Sequence, residues 1–588
     1  MLPPPFALMG TGGYPTQELA GVTEPTWTES CCHVSRASSY PHEKVTILCS
    51  SAGKEEARFS RTSGVGSSMP KRKNVRSLQR LGLESVARNT ERIWFRDYRD
   101  NYLGKYNVSS FLLQELLLLM RQEDLLTPAL LDTFLVPQLT ELQLRICSDL
   151  VNETVAQAIA ARCKKCDQIP ATALADLIKV LPCLQELNLS ETQCNTQVLS
   201  AVASSCRRLR HLDITDCKGL GPESLFYLAY DPAAGSFCCP KLEGVKLCEM
   251  EARTHHHLIW ALAFLLLALP LLKLLVHDLL AEAVRLIHSQ QFHGVQVPPG
   301  FPSLEELARS RTSASRDGGN APLTLALTEM YDINESSLPA LSTVCPALQD
   351  VIVFLEDAPG FAQNFLSCRH LTNLTLICTE RRDLWDLLPL TASLGGQLQT
   401  LTLGGFFFTE ELSFQTLLNH CRNLVRFSAS FLPLGRPSHG RQPDIDSAGW
   451  DFRITPYEMP QLRDFYLLPS DMVTPMPAPQ AEILRSILVS LLRYSLRLEN
   501  LTLASVPFPL EAVFRKALEP PGVALRNLRQ LALIDDDVSL ATVQLLLSAD
   551  NQLSRLQLNR CLGLHQSDYE ALLERVDRER FELTIAWE

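Results

Sequence analysis

The chain has 588 residues, of which 46% are hydrophobic and 20% charged, so it is too long for a single compact domain. Its formal net charge of -11 at pH 7 argues against nucleic acid or an anionic membrane as the main partner. The 18 cysteines are scattered instead of forming a compact framework, and no secretory signal is recognisable. We therefore expect reduced thiols and a cytoplasmic or nuclear protein.

Residues 1–70 are rich in Pro, Gly, Ser and Thr and show little apolar periodicity. Such a segment cannot bury enough apolar surface to offset the entropy lost on ordering, so a disordered N-terminal tail is expected. The basic run at 71–73 that follows is typical either of solvated chain or of a nuclear import signal.

Residues 71–135 are predicted to form a helical segment ahead of the main fold. Leu78, Leu81, Gly82 and Val86 stand at i, i+3, i+4 and i+8 and therefore share one face of a helix over 77–87. A second apolar helical stretch covers 109–134. The first helix has two interpretations: a cap on the fold that follows, or an adaptor that docks on another protein.

From residue 136 onward the pattern Leu-x-x-Leu-x-Leu recurs, most clearly at Leu184, Leu187 and Leu189. The copies starting at 184 and 209, 371 and 398, and 528 and 553 are 25, 27 and 25 residues apart, the unit length of leucine-rich repeats. One unit cannot bury its apolar face alone, so units stack into a curved solenoid. We predict an α/β leucine-rich repeat solenoid over 136–588, with a parallel sheet on the concave face and helices outside. Further copies begin at Leu139, Leu242, Leu304, Leu348, Leu424, Leu462 and Leu498.

Residues 258–272 are continuously apolar, but the run is shorter than the roughly 20 residues of a membrane span and contains Pro270. We interpret 255–268 as a buried repeat helix and 269–275 as the next strand. Two polar stretches rich in Gly, Pro, Ser and Arg, 308–322 and 434–460, are predicted loops inserted between repeats.

A cysteine precedes several motif leucines by three residues, as at Cys206, Cys345 and Cys421. We expect each to be a small buried side chain that closes the preceding helix against the core. The sequence has no Gly-rich phosphate loop, no His-Glu-x-x-His and no Gly-x-Ser-x-Gly elbow. Neither enzymatic activity nor a cofactor or metal ion is therefore expected.

Residues between the inward leucines point to the concave face. That face is mixed and mostly uncharged, and it suits a protein or peptide partner better than phosphate. Its candidate target-binding residues are Glu186, Asn188, His211, Asp213, Arg426, Arg555 and Asn559.

The helix over 77–87 resembles the elongin BC-box, which has a small residue, Leu, and then Cys and an aliphatic residue at fixed spacing. Ser77, Leu78 and Val86 match this pattern, whereas Gly82 stands where the family has Cys. In family members the Leu enters an apolar pocket of elongin C. The resemblance therefore implies that Leu78 is the anchor and that Val86 packs beside it, with Leu81 on the same helical face.

Residues 127–135 approximate the cullin box of the same family, with Pro128, Leu131 and Leu135 in its positions and Thr127 in place of an aliphatic residue. This layout, followed by cysteine-containing repeats, resembles the Zyg-eleven and Zer-one substrate receptors of cullin-2 ubiquitin ligases, although no armadillo repeats follow. The resemblance implies a substrate-recognition subunit of a cullin-RING E3 ubiquitin ligase. Such a subunit binds elongin B/C and a cullin and holds a protein substrate on its solenoid.

Two alternatives use the same repeats. Residues 111–131 have the apolar density of an F-box but lack its Leu-Pro opening, so a Skp1-binding receptor is one alternative. The other is a non-enzymatic protein-binding scaffold with no ligase partner, in which the helix over 77–87 is only a cap.

Overall fold

The structure is a computed structural model of the chain. It describes residues 78–89, 141–143, 171–248, 250, 255–313, 323–356, 360–434, 457–469, 476–519 and 524–587, with a few positions between 112 and 125. All of them belong to one compact unit that spans 66–588. The predicted tail and Ser77 lie outside the described residues.

Within these residues, fifteen strands form one parallel sheet in which each strand pairs with the next along the chain. This is the arrangement that stacked repeats produce. Two more strands, β4 (Tyr230–Asp231) and β5 (Ser236–Phe237), form a separate antiparallel pair. The strands of the sheet are β1 (Glu141–Gln143), β2 (Glu186–Asn188), β3 (His211–Asp213), β6 (Gly244–Lys246), β7 (Leu274–Val276), β8 (Glu329–Asn334), β9 (Asp350–Leu355), β10 (Asn373–Asp383), β11 (Thr400–Phe407), β12 (Arg426–Phe431), β13 (Asp464–Pro469), β14 (Asn500–Ala504), β15 (Gln530–Ile534), β16 (Arg555–Asn559) and β17 (Thr584–Trp587).

Helices alternate with the strands and cover the other side of the core. Three repeats carry a 3-10 turn, at Glu335–Ser337, Phe361–Phe365 and Leu384–Leu387. The described helices are α1 (Leu78–Asn89), α2 (Ala171–Lys179), α3 (Thr196–Ser205), α4 (Pro222–Ala229), α5 (His255–Ala268), α6 (Leu280–Ser289), α7 (Leu304–Ser313), α8 (Leu338–Val344), α9 (Leu388–Leu394), α10 (Glu411–His420), α11 (Ala478–Tyr494), α12 (Leu510–Ala517), α13 (Leu540–Ser548) and α14 (Gln566–Glu579).

The inward leucines form the core through the register of the sheet. Leu187 on β2 lies beside Leu142 of β1 and Leu212 of β3, and it is only 2% exposed. Its neighbours Glu186 and Asn188 are exposed and half-buried, respectively. This alternation recurs from strand to strand, so the predicted α/β solenoid of leucine-rich repeats is confirmed.

The apolar segment over 258–272 also folds as predicted. In helix α5, Leu258 and residues 261–268 are buried, while Ile259 and Trp260 are half-buried. The strand that follows, β7, covers only Leu274–Val276, at the end of the predicted region, and pairs with β6. No helix among the described residues is both long enough and apolar enough to cross a membrane.

The prediction of a strand at Leu304 is wrong, because helix α7 begins there. The Ser303 hydroxyl accepts a hydrogen bond from the Glu306 amide (3.2 Å), and the Glu306 carboxylate accepts one from the Ser303 amide (2.8 Å). This is a capping box, which starts a helix. The helix continues to Ser313, into the predicted loop 308–322, of which 314–322 lie outside the described residues.

Both ends of the loop predicted at 434–460 are held by α11. The buried amide of Gln480 accepts from the Leu434 backbone and donates to the Leu432 carbonyl, each at 2.9 Å. At the other end, the Tyr457 backbone donates to the Ser490 hydroxyl at 2.9 Å. The residues between, 435–456, lie outside the described part of the chain.

The cap cysteines close helices as the sequence predicts. The backbone amides of Cys206, Cys345 and Cys421 donate to the last turns of α3, α8 and α10, and their side chains are buried. Burial disfavours the charged thiolate and raises the pKa of each thiol to about 12.

We expect Leu187→Asp to lower the free energy of unfolding by several kcal/mol, because it places an unpaired carboxylate in the core. The matched control is Leu562→Asp, since the Leu562 side chain is 78% exposed. Urea denaturation measures both. Equal stability of the two variants would contradict the register described above.

We also expect the melting temperature to be the same with and without a reductant, because the cysteines among the described residues are free thiols. Alkylation of Cys206, Cys345 and Cys421 by iodoacetamide should be slow until the protein unfolds, since the thiolate is the reactive form. Peptide mass spectrometry of protein labelled with and without urea measures this. Rapid labelling of the folded protein at these three sites would be the contrary result.

Candidate protein-binding surfaces

The concave face from β9 to β15 is organised into rows that run across the strands. The register aligns the first, third and fifth residues of each strand on this face, while the residues between them are buried. We call these the carboxylate–amide row, the hydroxyl row and the apolar row. Their main members are Asp350, Asn373, Arg426, Asp464 and Asn500 in the first, Thr375, Thr402, Ser428, Tyr466 and Thr502 in the second, and Phe354, Ile377, Leu468 and Ile534 in the third.

Side chains of the carboxylate–amide row form hydrogen bonds with one another. Asp464, 8% exposed, accepts from the Arg426 guanidinium (3.3 Å) and from the Asn500 amide (2.5 Å). Asn373 donates to Asp350 at 3.0 Å, and burial raises the pKa of Asp350 although this bond opposes the shift. Arg426, predicted to contact a target, is therefore paired with Asp464.

The hydroxyl row is different, because its side chains make no hydrogen bond to other described residues. It presents four aliphatic hydroxyls and the phenol of Tyr466 on five consecutive strands, β10 to β14. Burial, with the nearby Asp464 carboxylate, raises the pKa of Tyr466, which keeps the phenol protonated. Hydroxyls both donate and accept, so the row matches the alternating groups of a peptide backbone.

The apolar row lies beside the hydroxyl row. Ile377 and Leu468 are half-buried at two of its positions, and Gly404 and Ser430 lie between them. A partner with both polar and apolar groups fits two such neighbouring rows.

On the N-terminal strands, two of the predicted site residues have structural roles. Asn188 accepts from the backbone (2.9 Å) and hydroxyl (2.7 Å) of Ser190 and donates to Asp213 (3.4 Å). Asp213 accepts from the Thr215 backbone at 3.1 Å. These bonds fix the turns that follow β2 and β3.

Glu186 and His211 remain exposed on the concave side. The His211 ring lies over Gly244 of the next strand, where a Cβ atom would come within 2.8 Å of Nδ1. A larger residue at position 244 would therefore require this ring to move.

The predicted concave residues do not form one cluster. Four of them lie on β2 and β3, but Arg426 lies on β12, seven strand spacings or roughly 34 Å further along the sheet. Arg555 and Asn559 are half-buried on β16, four spacings beyond that. Residues of distant repeats lie far apart along the sheet, because each repeat adds one strand to it.

The sequence analysis did not single out the hydroxyl and apolar rows. The repeat motif itself contains the signal for the first, since Thr375, Thr402 and Thr502 all stand before the last motif leucine. For the apolar row the signal is the residue directly after that leucine, as at Ile377 and Leu468. Neither signal can be recognised in a single repeat, because the residues form a row only when the strands pair in register.

Helix α1 contributes one face to the hydrophobic core. Leu83 and Val86 pack against the core, and Ala87 is 3% exposed. On the opposite face Leu81 is 43% exposed, and a Cβ atom at Gly82 would meet no heavy atom within 4 Å. Leu78 is the first residue of the helix, one turn before these two. Ser77 and the predicted cullin-box residues Pro128, Leu131 and Leu135 lie outside the described residues.

No family model matches the chain, and no curated protein matches it. Matching solved structures include the yeast Rad7 and Elc1 complex, at 13% identity and TM-score 0.35, over 85% of this chain and 91% of that one. An internalin from Listeria monocytogenes matches at 13% identity and TM-score 0.29, over 74% and 94%. The leucine-rich repeat protein LegL7 from Legionella pneumophila matches at 11% and 0.29, over 54% and 95%. TM-scores below 0.5 are too low to carry a conclusion about this chain.

Asp536 is a buried carboxylate just after β15. It is fully buried and accepts from the Val506 backbone at 2.8 Å, while its Oδ2 has no partner among the described residues. Burial raises its pKa to about 6. No three His, Cys, Asp or Glu side chains in the described part of the chain are placed to hold a metal ion.

We expect Asp536→Asn to raise the free energy of unfolding at pH 7.5 by about 1–3 kcal/mol. The folded state binds this proton more tightly than the unfolded chain, so the ionised carboxylate destabilises the fold as pH rises from about 4 to about 6. Urea denaturation across this range should show the advantage of the variant shrinking as pH falls. A difference that does not change with pH would contradict the assignment.

Proposed function

We propose that this chain is the substrate-recognition subunit of a cullin-RING E3 ubiquitin ligase, in which α1 binds elongin C and the solenoid holds a protein target. The observation that carries the proposal is the one-sided packing of α1. Its inner face contacts the core through Leu83 and Ala87, and its outer face carries the exposed Leu81 and the open position at Gly82. Leu81 and Gly82 are therefore accessible to a partner on the side of α1 that faces away from the core.

The packing also prepares α1 for binding. An isolated helix of 12 residues is marginal in water, so packing against the hydrophobic core stabilises α1. A partner then meets a helix that is already formed, which reduces the entropy lost on association.

The packing of α1 against the core changes the role that the BC-box resemblance implies for Val86. This side chain is half-buried and packs against the solenoid core, so it has less surface to offer a partner. We therefore assign the elongin C contact mainly to Leu78, Leu81 and Gly82. The open space at Gly82 also accommodates the cysteine that the family has there.

The concave face is the proposed target surface. Its hydroxyl row offers unpaired donors and acceptors beside an apolar row, a combination that fits a polypeptide. The proposed role is binding.

We expect Leu81→Ala and Leu78→Ala each to weaken elongin B/C binding by about 2 kcal/mol or more, roughly 30-fold in Kd, because interface anchors carry a large share of the binding energy. Gly82→Cys should bind as tightly or more tightly, since it restores the family residue and removes a helical glycine. The matched control is Leu573→Ala on α14, because Leu573 is 38% exposed. Titration of purified elongin B/C by isothermal calorimetry measures all four.

A variant on the concave face tests target binding separately from elongin C binding. Thr402→Arg places a large cation in the middle of the hydroxyl row and should retain elongin B/C while losing the target proteins that the wild type captures. If wild-type protein binds neither elongin C nor a cullin, the adaptor proposal fails. Capture of Skp1 instead would identify the F-box-like alternative.

The plain scaffold is the second candidate, and the inner face of α1 favours it. Leu83, Val86 and Ala87 cover the core as a repeat cap does. This function requires the same concave face but no ligase partner. Unchanged elongin binding in Leu78→Ala and Leu81→Ala would favour it.

A further inference from the structure

A groove of about 450 Å³ lies where strands β2, β3, β6 and β7 begin, and it is lined by Gln185, Arg208, Arg210, Lys241, Glu243 and Leu271. These residues stand one to three positions before the strands, so they lie at the edge of the sheet and not among the concave rows. The groove is therefore formed by residues other than those of the proposed target surface and of α1.

The groove is strongly basic. Its one carboxylate, Glu243, pairs with both Arg210 (2.5 Å) and Lys273 (2.8 Å). Hydrogen bonds from Lys273 and Arg210 lower the pKa of Glu243, so it stays ionised. Arg208 and Lys241 have no ion-pair partner among the described residues, and both are exposed. Three cations, Arg208, Arg210 and Lys241, thus line the groove with one acid, in a chain whose net charge is -11.

The repeat places an apolar residue in the same row as the two unpaired cations. Arg208, Lys241 and Leu271 each stand one residue before the first motif leucine of their repeat. They therefore recur three residues before the start of three strands that are neighbours in the sheet, β3, β6 and β7. Leu271 is 48% exposed. Strand spacing puts the row within roughly 10 Å, the length of about three residues of extended chain.

We propose that this groove binds an acidic peptide segment of a protein partner, in which an Asp or Glu is followed within about three residues by an aliphatic or aromatic side chain. The acid pairs with Arg208 and Lys241, and the apolar side chain covers Leu271. Charge complementarity selects an acidic ligand. The exposed leucine and the negative net charge of the chain favour a short peptide over nucleic acid or an anionic membrane, because both are extended polyanions.

The test uses the full chain and a fluorescein-labelled peptide of sequence Gly-Asp-Glu-Asp-Ser-Leu-Gly, measured by fluorescence anisotropy. The double variant Arg208→Glu, Lys241→Glu should weaken binding by about tenfold or more, and added salt should weaken binding of the wild type. Leu271→Ser should weaken binding of this peptide but not of the version in which its Leu is replaced by Ser. Circular dichroism checks that these surface variants remain folded.

The matched control is Arg369→Glu, Arg422→Glu, which changes the net charge equally at exposed cations that follow the cap cysteines of later repeats. It should bind the peptide like the wild type. An equal loss in the control, or unchanged binding in the groove variant, would overturn the proposal. Tighter binding of a twelve-nucleotide DNA or of phosphatidylserine vesicles than of the peptide, lost in the groove variant, would overturn the choice of a peptide. These outcomes do not depend on elongin binding.

Discussion

Each repeat buries its leucines only against the repeat before it and the repeat after it. A strand such as β2 has too little surface to exclude water alone, and Leu187 becomes buried because Leu142 and Leu212 flank it in register. Since side chains alternate between the two faces of a strand, a slip of one residue would turn the leucines outward. The register is therefore the constraint on which the other surfaces of the molecule depend.

The concave rows are a direct consequence of that register. Repeats far apart in sequence place one residue each at equivalent positions, so five unconnected hydroxyls become a continuous row from β10 to β14. The same register also places the side chains of the carboxylate–amide row next to one another, so that they form hydrogen bonds. Asp464 is nearly buried, so Arg426 and Asn500 compensate its desolvation, and these bonds fix both side chains on the concave face.

The two ends of each strand have different physical environments. At the beginning of the strands the repeat leaves long side chains exposed, which gives the basic groove around Glu243 its shape and charge. Just after the strands, carboxylates such as Asp536 turn inward and are desolvated. Helix α1 joins the same continuous hydrophobic core through Leu83, Val86 and Ala87.

The sequence by itself determined the solenoid, because leucine spacing fixes which side chains must be buried. It also determined the buried helix α5 and the helix-closing cysteines. It misassigned Leu304, although the capping box at Ser303 and Glu306 was visible in the sequence. Only the tertiary structure decided that Arg426 pairs with Asp464, that Asn188 and Asp213 fix turns, and that Arg208, Lys241 and Leu271 share a groove. These relations join residues of different repeats, and their distances are set by how the repeats stack.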